Sequence, residues 1–347
     1  MYIPKPDGKQ RPLGIPTIRD RVVQTALMMV LDTISEADLP PEQHAYRRGH
    51  SALSAVQQVH GWLTRGHTQV IDADLSGYFD SIPHAELMRS VARRVVDRHV
   101  LHLIQMWLDA PVEETGRRGR TQRTTVNRDS SRGTPQGAPI SPLLSNLYMR
   151  RLILAWKRLG LERRYAARIV NYADDMVICC ARDADEALNA LRQLVGRLKL
   201  RVNEDKTHIC RLPQGRFDFL GYTFERCYSE VTGRSYLGTR PSKKSIRRLM
   251  QAISAEAHIN RALLETEYIV GRLNRMLVGW ANYFCIGPVG KAYRAIDRHT
   301  ALRLRWWLCD KHKVPKATMR YSFDYQYETL GLISLRTKPR NRPWANA

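Results

Sequence analysis

The chain is 347 residues long and 43% hydrophobic, and its 56 Lys and Arg outnumber 33 Asp and Glu to give a formal charge of +23. That length fits two or three packed units, the apolar content excludes a globally disordered chain, and the basic excess makes a polyanion the default partner. No apolar run is long enough to cross a bilayer and no charged-then-apolar leader opens the chain, while six cysteines without a CxxC pair and 11 histidines without an HExxH spacing argue against zinc ribbons and zincins and suit a reducing cytoplasm.

Met1-Tyr2-Ile3-Pro4 already reads as an apolar strand edge, so an element that would ordinarily precede it is expected to be missing. Residues 1–18 read as a β-hairpin turning at Pro6-Asp7-Gly8. Residues 19–37 have helical spacing, with Val22, Val23, Ala26, Met29 and Val30 on one face, and Ser51 begins a second helix to residue 63. A buried strand from Thr68 to Leu75 precedes a helix from Pro83 to about Val96. Residues 112–135 hold six arginines among Gly, Thr and Ser and read as a mobile, strand-rich basic loop. Ser141, read as a cap, and Pro142 start a helix to about Leu159. Arg168 to Ala181 reads strand, turn, strand, and Asp183, with Glu186 as capping-box partner, opens a helix to Leu200. Phe217 to Phe224 alternates as a strand, and residues 231–234 turn a further hairpin. After Pro241 the pattern changes to long helices over about 242–258, 263–285 and 288–312, followed by a basic, weakly periodic stretch over 313–347.

Two segments carry candidate chemistry. In Val70-Ile71-Asp72-Ala73-Asp74-Leu75 an apolar strand delivers Asp74 to its end, and in Val170-Asn171-Tyr172-Ala173-Asp174-Asp175-Met176-Val177-Ile178 two apolar strands flank a tight turn bearing adjacent carboxylates. Adjacent acids repel each other and become tolerable around a divalent cation, for which hard oxygen ligands suit Mg²⁺. Three carboxylates on two neighbouring strands can hold two such ions and support nucleotidyl transfer. Asp174-Asp175 alone would be an ordinary turn; Asp74 on its own strand shifts the balance. Strand alternation is taken to leave Asp72, with Asp80, as surface or outer acids.

Tyr172-Ala173-Asp174-Asp175 resembles the Y-x-D-D box of reverse transcriptases, and further blocks follow in that family's order. Ile3-Pro4-Lys5 with Arg11-Pro12-Leu13-Gly14-Ile15-Pro16 looks like the first fingers block, and Ala45-Tyr46-Arg47-Arg48-Gly49-His50-Ser51 like a drifted second. Arg132 to Leu143 is similar to the group II intron block before the palm helix. Asn203-Glu204-Asp205-Lys206-Thr207 and Phe219-Leu220-Gly221-Tyr222 resemble the last palm block and the primer grip, and Leu277 to Phe284 the maturase signature. The resemblance covers nearly the whole chain and implies an α+β right-hand polymerase. Fingers would span 1–66, an antiparallel palm 67–240 with the basic loop 112–135, a helical thumb or maturase domain 241–312, and a basic tail 313–347.

The resemblance also implies roles. Asp74 and Asp174 would be the main ligands of two Mg²⁺ ions, with Asp175 and the Leu75 carbonyl assisting. Phe79 would exclude a ribose 2′-OH, although it also suits a core aromatic. Gln136 would touch the incoming dNTP or the template, and Lys5 (or Lys9) and Arg11 would grip the triphosphate. Lys206 would protonate the leaving pyrophosphate or simply be a solvated lysine. Lys243, Lys244, Arg247, Arg248, Arg272 and Arg275 would meet phosphates of RNA, while Trp280, Tyr283 and Phe284 fit a core better. Group II intron RNA, an RNA template with a DNA primer, and dNTPs are the implied partners, in a bacterial cytoplasm near the nucleoid. No H-N-H endonuclease pattern follows residue 312, which resembles the endonuclease-lacking class and implies a primer made elsewhere. The leading expectation is an RNA-directed DNA polymerase with maturase function in splicing and retrohoming. The alternatives are a polymerase-inactive truncated maturase acting as an RNA-binding splicing factor, and a domesticated reverse transcriptase. A two-metal nuclease is weakest, because nothing positions a base for water.

Overall fold

The computed structural model describes residues 2–4, 10–12, 14–115, 121–135, 137–229, 231–315 and 320–337. Lys5, Lys9, Gln136 and the turn at 6–8 lie outside the described residues, and Arg11 is described only by the strand it sits in. The chain divides into two compact units, Met1–Leu212 and Pro213–Ala347.

The first unit opens with β1 (Tyr2–Pro4) and β2 (Gln10–Pro12), paired antiparallel with Ile3 opposite Arg11. Then follow α1 (Ile18–Glu36), α2 (Ala52–Thr64), β3 (Gln69–Asp74), α3 (Tyr78–Ser81), α4 (His84–Val91) and α5 (Arg98–Leu108). The chain continues through β4 (Val112–Thr115), β5 (Thr121–Thr124), α6 (Val126–Ser130), α7 (Ser141–Arg158), α8 (Leu161–Arg164), β6 (Ala167–Tyr172), β7 (Asp175–Cys180), α9 (Ala184–Arg197) and β8 (His208–Arg211). Strands β6, β7, β3 and β8 form one sheet in that order, antiparallel throughout.

One core joins the sheet to its helices. Ile71, Ala73 and Leu75 of the β3 segment and Met176, Ile178 and Cys180 of β7 share a buried cluster with Leu144, Tyr148, Leu152 and Trp156, which recur every fourth residue along α7. Because strand side chains alternate, the remaining positions Asp72, Asp74 and Asp175 all belong to the opposite face. The expectation that alternation would set Asp72 apart is therefore corrected: positions two apart point the same way.

Three local expectations also differ. Helix α1 forms where its spacing predicts, capped by Thr17, but Val22, Val23, Met29 and Val30 are exposed, and Leu31 with part-buried Leu27 and Met28 turns to the core. Ser141 is the first residue inside α7 rather than its cap, and its hydroxyl donates to the Pro135 carbonyl. Asp183 does sit at the head of α9, but with φ +54 instead of the extended backbone of a capping residue, and its side chain makes no cap. Helix α5, capped by Asp97, is not among the elements predicted from the sequence.

The second unit begins with β9 (Phe217–Phe219), β10 (Tyr222–Tyr228) and β11 (Ser235–Pro241), an antiparallel sheet in the order β11-β10-β9. Helices α10 (Lys243–Glu256), α11 (Thr266–Tyr283) and α12 (Gly290–Lys311) follow. The composition change at Pro241 thus falls inside this unit, because the small sheet is tied to the helices. The Tyr283 hydroxyl donates to the Leu220 carbonyl at 2.8 Å, and Ser242 N–H to the Gly221 carbonyl at 2.9 Å. A Cβ on Gly221 (φ +80) would lie 3.1 Å from the Phe284 ring, so the turn needs glycine for both conformation and space.

Residues 320–337 are part of this unit's core, not a loose tail. Tyr321, Leu332 and Leu335 are buried in the helical cluster. Asn274 donates to the Gly331 carbonyl and accepts from Ile333 N–H, both at 2.8 Å, and buried Asp297 accepts from Ser334 Oγ and from the N–H groups of Leu335 and Arg336.

Candidate active site

The site lies at one end of the four-stranded sheet. In the β3–β7 ladder Asp74 stands directly opposite Asp175, and in the β6–β7 hairpin Tyr172 stands opposite Asp175, leaving Ala173-Asp174 as a two-residue turn. Strand pairing therefore brings Asp74, from one segment, to Asp174 and Asp175, a hundred residues later. Ala173 takes φ +56, a left-handed conformation that costs a non-glycine residue roughly 1–2 kcal/mol.

What holds that turn is Asn171. Its side chain is wholly buried, and its Nδ2 donates to the carbonyls of Ala173 at 2.8 Å and Asp175 at 3.2 Å. Its backbone pairs on the outer side with residues 42–44: Asn171 N–H donates to Glu42 O and His44 N–H to Asn171 O. The turn is thus braced from within and from outside.

Asp74 is positioned by the segment before β8. Asn203 Nδ2 donates to Asp74 Oδ2 at 2.8 Å, Lys206 Nζ lies 3.4 Å from the same oxygen, and Asp74 N–H donates to Thr207 Oγ1. Asn203 N–H also donates to the Asp74 carbonyl, and Leu75 pairs with Val202. Asn203, Thr207 and Asn171 were within motifs visible in the sequence, but nothing there identified them as braces.

The charge is concentrated. Asp175 reaches solvent at its outer edge, yet protein crowding around its carboxyl, then Asp174, Asp72 and Asp74 in turn, push it up to about 6, with Lys206 opposing. Burial, then Tyr148 and Asp174, likewise hold the Tyr78 hydroxyl well above its ordinary range; that hydroxyl donates to the Ser145 carbonyl at 2.7 Å. Among the described residues no three His, Cys, Asp or Glu side chains stand together as a ready cation site. The donor chemistry nevertheless fits a hard divalent cation: all-oxygen, anionic, and carrying an excess of negative charge that raises a neighbouring carboxyl.

Phe79 follows Asp74 on the short helix α3, which Gly77 enters at φ +52. The ring is 9% exposed and meets Tyr78 edge to face at 5.7 Å. The Phe79 carbonyl accepts Thr134 N–H at 2.7 Å, which joins α3 to the segment ahead of Gln136. Gly133 (φ +93) allows the approach, since a Cβ there would lie 3.2 Å from the Asp80 carbonyl oxygen. The structure therefore gathers Asp74, Leu75, Asp174, Asp175 and Lys206 at one sheet end, with Phe79 and its contacts on the adjoining helix.

In the second unit, Lys243, Lys244, Arg247 and Arg248 are all exposed on α10. The first three line a cavity of about 460 Å³ together with Arg216 and Arg240. Arg275 is exposed on α11. Arg272 differs: its guanidinium makes a two-pronged contact with buried Glu256 at 3.0 and 3.1 Å, and Arg261 joins the same carboxylate at 2.6 Å. Arg272 thereby links α10 to α11. Trp280, Tyr283 and Phe284 form an aromatic cluster with Tyr222.

No described helix is long and apolar enough to cross a membrane. Comparison with known proteins places the chain. Residues 3–224 match the model for "Reverse transcriptase (RNA-dependent DNA polymerase)" and residues 246–323 that for "Group II intron, maturase-specific domain". Protein YkfC of Escherichia coli is 34% identical over 281 residues, 71% of each chain. The group II intron-encoded protein LtrA of Lactococcus lactis is 28% identical over 215 residues, 60% of this chain but 32% of its own length. Telomerase from Candida tropicalis, solved with a fragment of telomeric RNA, superposes with a TM-score of 0.48 at 12% identity over 95% of this chain and 59% of its own. The chain belongs to the reverse transcriptases, the RNA-directed DNA polymerases, and joins such a domain to a group II intron maturase-specific one.

Proposed function

We propose that this chain copies RNA into DNA and assists the splicing and retrohoming of a group II intron, with two Mg²⁺ ions held by Asp74, Asp174 and Asp175 and by the Leu75 carbonyl. The observation that carries the reading is the register that sets Asp74 opposite Asp175 with Asp174 in the adjoining turn. Bound there, the ions would supply Lewis-acid activation of the primer 3′-hydroxyl and charge stabilisation of the leaving pyrophosphate. Asp74 is turned by Asn203 and Lys206 to a fixed orientation, and the carboxylate turn is braced by Asn171. Lys206, exposed and beside Asp74, would give a proton or a countercharge to the pyrophosphate. The Phe79 ring would bar a 2′-hydroxyl and so select dNTPs. Lys5, Arg11 and Gln136 are assigned to triphosphate and nucleotide contact.

In this reading residues 1–66 act as fingers, the four-stranded sheet as palm, and α10–α12 as thumb and maturase. The exposed cations of α10, with Arg275, meet phosphates of intron RNA or of the template–primer duplex. Arg272 contributes indirectly by fixing α11 against α10.

Primer extension on an RNA template with dNTPs and Mg²⁺ tests this. The intact chain should extend, and the Asp174→Ala, Asp175→Ala double variant should not. An inactive intact chain that still binds structured RNA with steep salt dependence would replace the polymerase reading by that of a splicing factor.

A further inference from the structure

The first unit carries a second cationic feature on the helices α7 and α9, on the side of the sheet opposite the carboxylates. Five arginines, Arg93, Arg150, Arg151, Arg158 and Arg197, surround a cavity of about 330 Å³. Its floor is apolar, made by Leu154, Ala155, Leu194 and Leu198 among others. No carboxylate lines it among the described residues, unlike the basic cavity beside α10, which includes Asp218 and Glu225. The Tyr78 hydroxyl reaches the Ser145 carbonyl near the start of α7, whereas Arg158 closes that helix, about 20 Å further along at 1.5 Å per residue. The cavity's lining on α7 begins at Arg150, about 8 Å past Ser145, and runs from there away from the carboxylate end, on the helix-covered side of the sheet.

Two of the arginines are held in place. Arg150 Nε donates to the Asp38 carbonyl at 2.7 Å, and Arg151 donates to the Glu86 carbonyl at 3.2 Å with its guanidinium over the Tyr148 ring. Arg158 and Arg197 stand in the last turns of α7 and α9, where the helix dipole favours cations. Arg150 has a local partner of another kind, its guanidinium 3.9 Å from the Asp38 carboxylate, and neither reason extends to Arg93 or Arg151. Like charges gathered around an apolar floor repel one another, Asp38 offsets this at Arg150, and an anion that supplies several oxygens relieves the rest.

We infer that this cavity binds one unstacked nucleotide of an RNA strand, its base on the leucine floor and its flanking phosphates on the arginines. Guanidinium forks match phosphate oxygens two at a time, and an apolar floor accepts the face of any base. The volume is at the small end of ligand cavities, suited to a nucleotide and short for a peptide helix. The inference rests on the reading that the chain handles RNA, and its test separates the two.

The test uses the full chain, a fluorescein-labelled 20-nucleotide oligouridylate, and excess unlabelled template–primer duplex to fill the polymerase cleft. The variants are Arg93→Gln/Arg158→Gln/Arg197→Gln, Arg158→Gln alone, and Ala155→Phe, which fills the floor and keeps every charge. Each lost phosphate contact should weaken binding about fivefold at ~0.1 M salt and reduce the log–log salt slope by about 0.7. The triple variant, which strips the contacts to both flanking phosphates, should therefore lose roughly 25-fold and about 1.4 in slope. Single Arg158→Gln, at an exposed helix end, carries the same test should the triple variant not fold. Ala155→Phe should bind several-fold more weakly with its slope unchanged. Wild-type affinity and slope in the arginine variants would overturn the inference. So would unimpaired binding by Ala155→Phe, which would leave only diffuse surface charge, or displacement of the RNA by an equal charge of polyglutamate, which would make the cavity an acidic-peptide site. Should the wild-type chain extend no primer yet show this pattern, the polymerase reading falls and the cavity stands.

Discussion

Replacing Asn171 by leucine should separate stability from catalysis. Leucine fills the same space but cannot donate to the carbonyls of Ala173 and Asp175, as Asn171 Nδ2 does at 2.8 and 3.2 Å. Two such bonds contribute about 1 kcal/mol each in net terms. Against that loss, Asn171 Oδ1 is buried without a hydrogen-bond partner, and removing it relieves about 1–3 kcal/mol. The two terms nearly cancel, so the variant should melt within a few degrees of the wild type. The turn is affected differently. Ala173 holds φ +56 at a cost of roughly 1–2 kcal/mol, comparable to the support that the amide provides. Without the amide the turn is free to relax and carry Asp174 and Asp175 with it. A displacement of about 1 Å at reacting groups costs on the order of 10²-fold in rate, so kcat should fall about 10- to 100-fold. The assay is steady-state extension of oligo(dT) on poly(rA), beside a thermal melt. Leu31→Ala, in the same core but away from the turn, should cost about 2–5 kcal/mol and keep kcat wherever it remains folded. Wild-type kcat in Asn171→Leu, or an equal loss in Leu31→Ala, would refute the view that the amide holds the carboxylates in register.

Gly287→Ala should cost on the order of 3–5 kcal/mol, because Gly287 has φ +75 and a Cβ there would stand 1.8 Å from the Thr239 carbonyl oxygen; an unchanged urea midpoint would contradict this. Acidification through pH 6.5 should destabilise the chain. Burial holds His44, His60 and His67 below their ordinary value, so the unfolded chain takes up protons first, and the stability present above about pH 6.5 is lost as pH falls. Asp175, raised to about 6, acts in the opposite sense, so urea midpoints at pH 7.5 and 5.5 are best compared in Asp175→Asn, where a midpoint as high at 5.5 as at 7.5 would sink the argument.

The elements that were legible in the sequence are those whose two faces differ. Strand β3 and the β6–β7 hairpin stand where alternating and apolar runs put them, and α7, with Leu144, Tyr148, Leu152 and Trp156 four apart, has a single apolar stripe. Helix α1 has two: Val22, Val23, Ala26, Met29 and Val30 on one side, Leu27, Met28 and Leu31 on another, and spacing alone cannot say which meets the core. Caps were misread for a similar reason. Ser141 and Asp183 have the right chemistry for a cap, but one spends its hydroxyl on Pro135 and the other has left-handed backbone, and neither circumstance is local to the residue type. The boundary after Leu212 was hidden because β9–β11 has the composition of the preceding strands and is claimed by the helices only through contacts such as Tyr283 to Leu220.

The carboxylates were legible because they form a chemically rare pattern, two adjacent acids at a turn between apolar strands and a third at the end of another, where turn chemistry alone would not put it. Their support was not, because Asn171, Asn203 and Thr207 are ordinary polar residues whose work is defined by who lies across from them. Asp72 marks the limit. Its spacing from Asp74 already dictated a shared face, and the charge it adds to Asp175 follows from that spacing. With Asp72, a fourth acid joins Asp74, Asp174 and Asp175 and makes this end of the sheet more negative still. In a chain of net charge +23 that concentration stands against the global balance, and the global balance draws in the polyanion. A phosphate backbone approaching the carboxylates directly would be repelled. Cations between the two would remove that repulsion, and Lys206, which among the described residues stands beside Asp74, supplies a single charge where several acids meet. Under the proposed polymerase function the remainder would arrive with the substrate, on a metal-bound nucleotide.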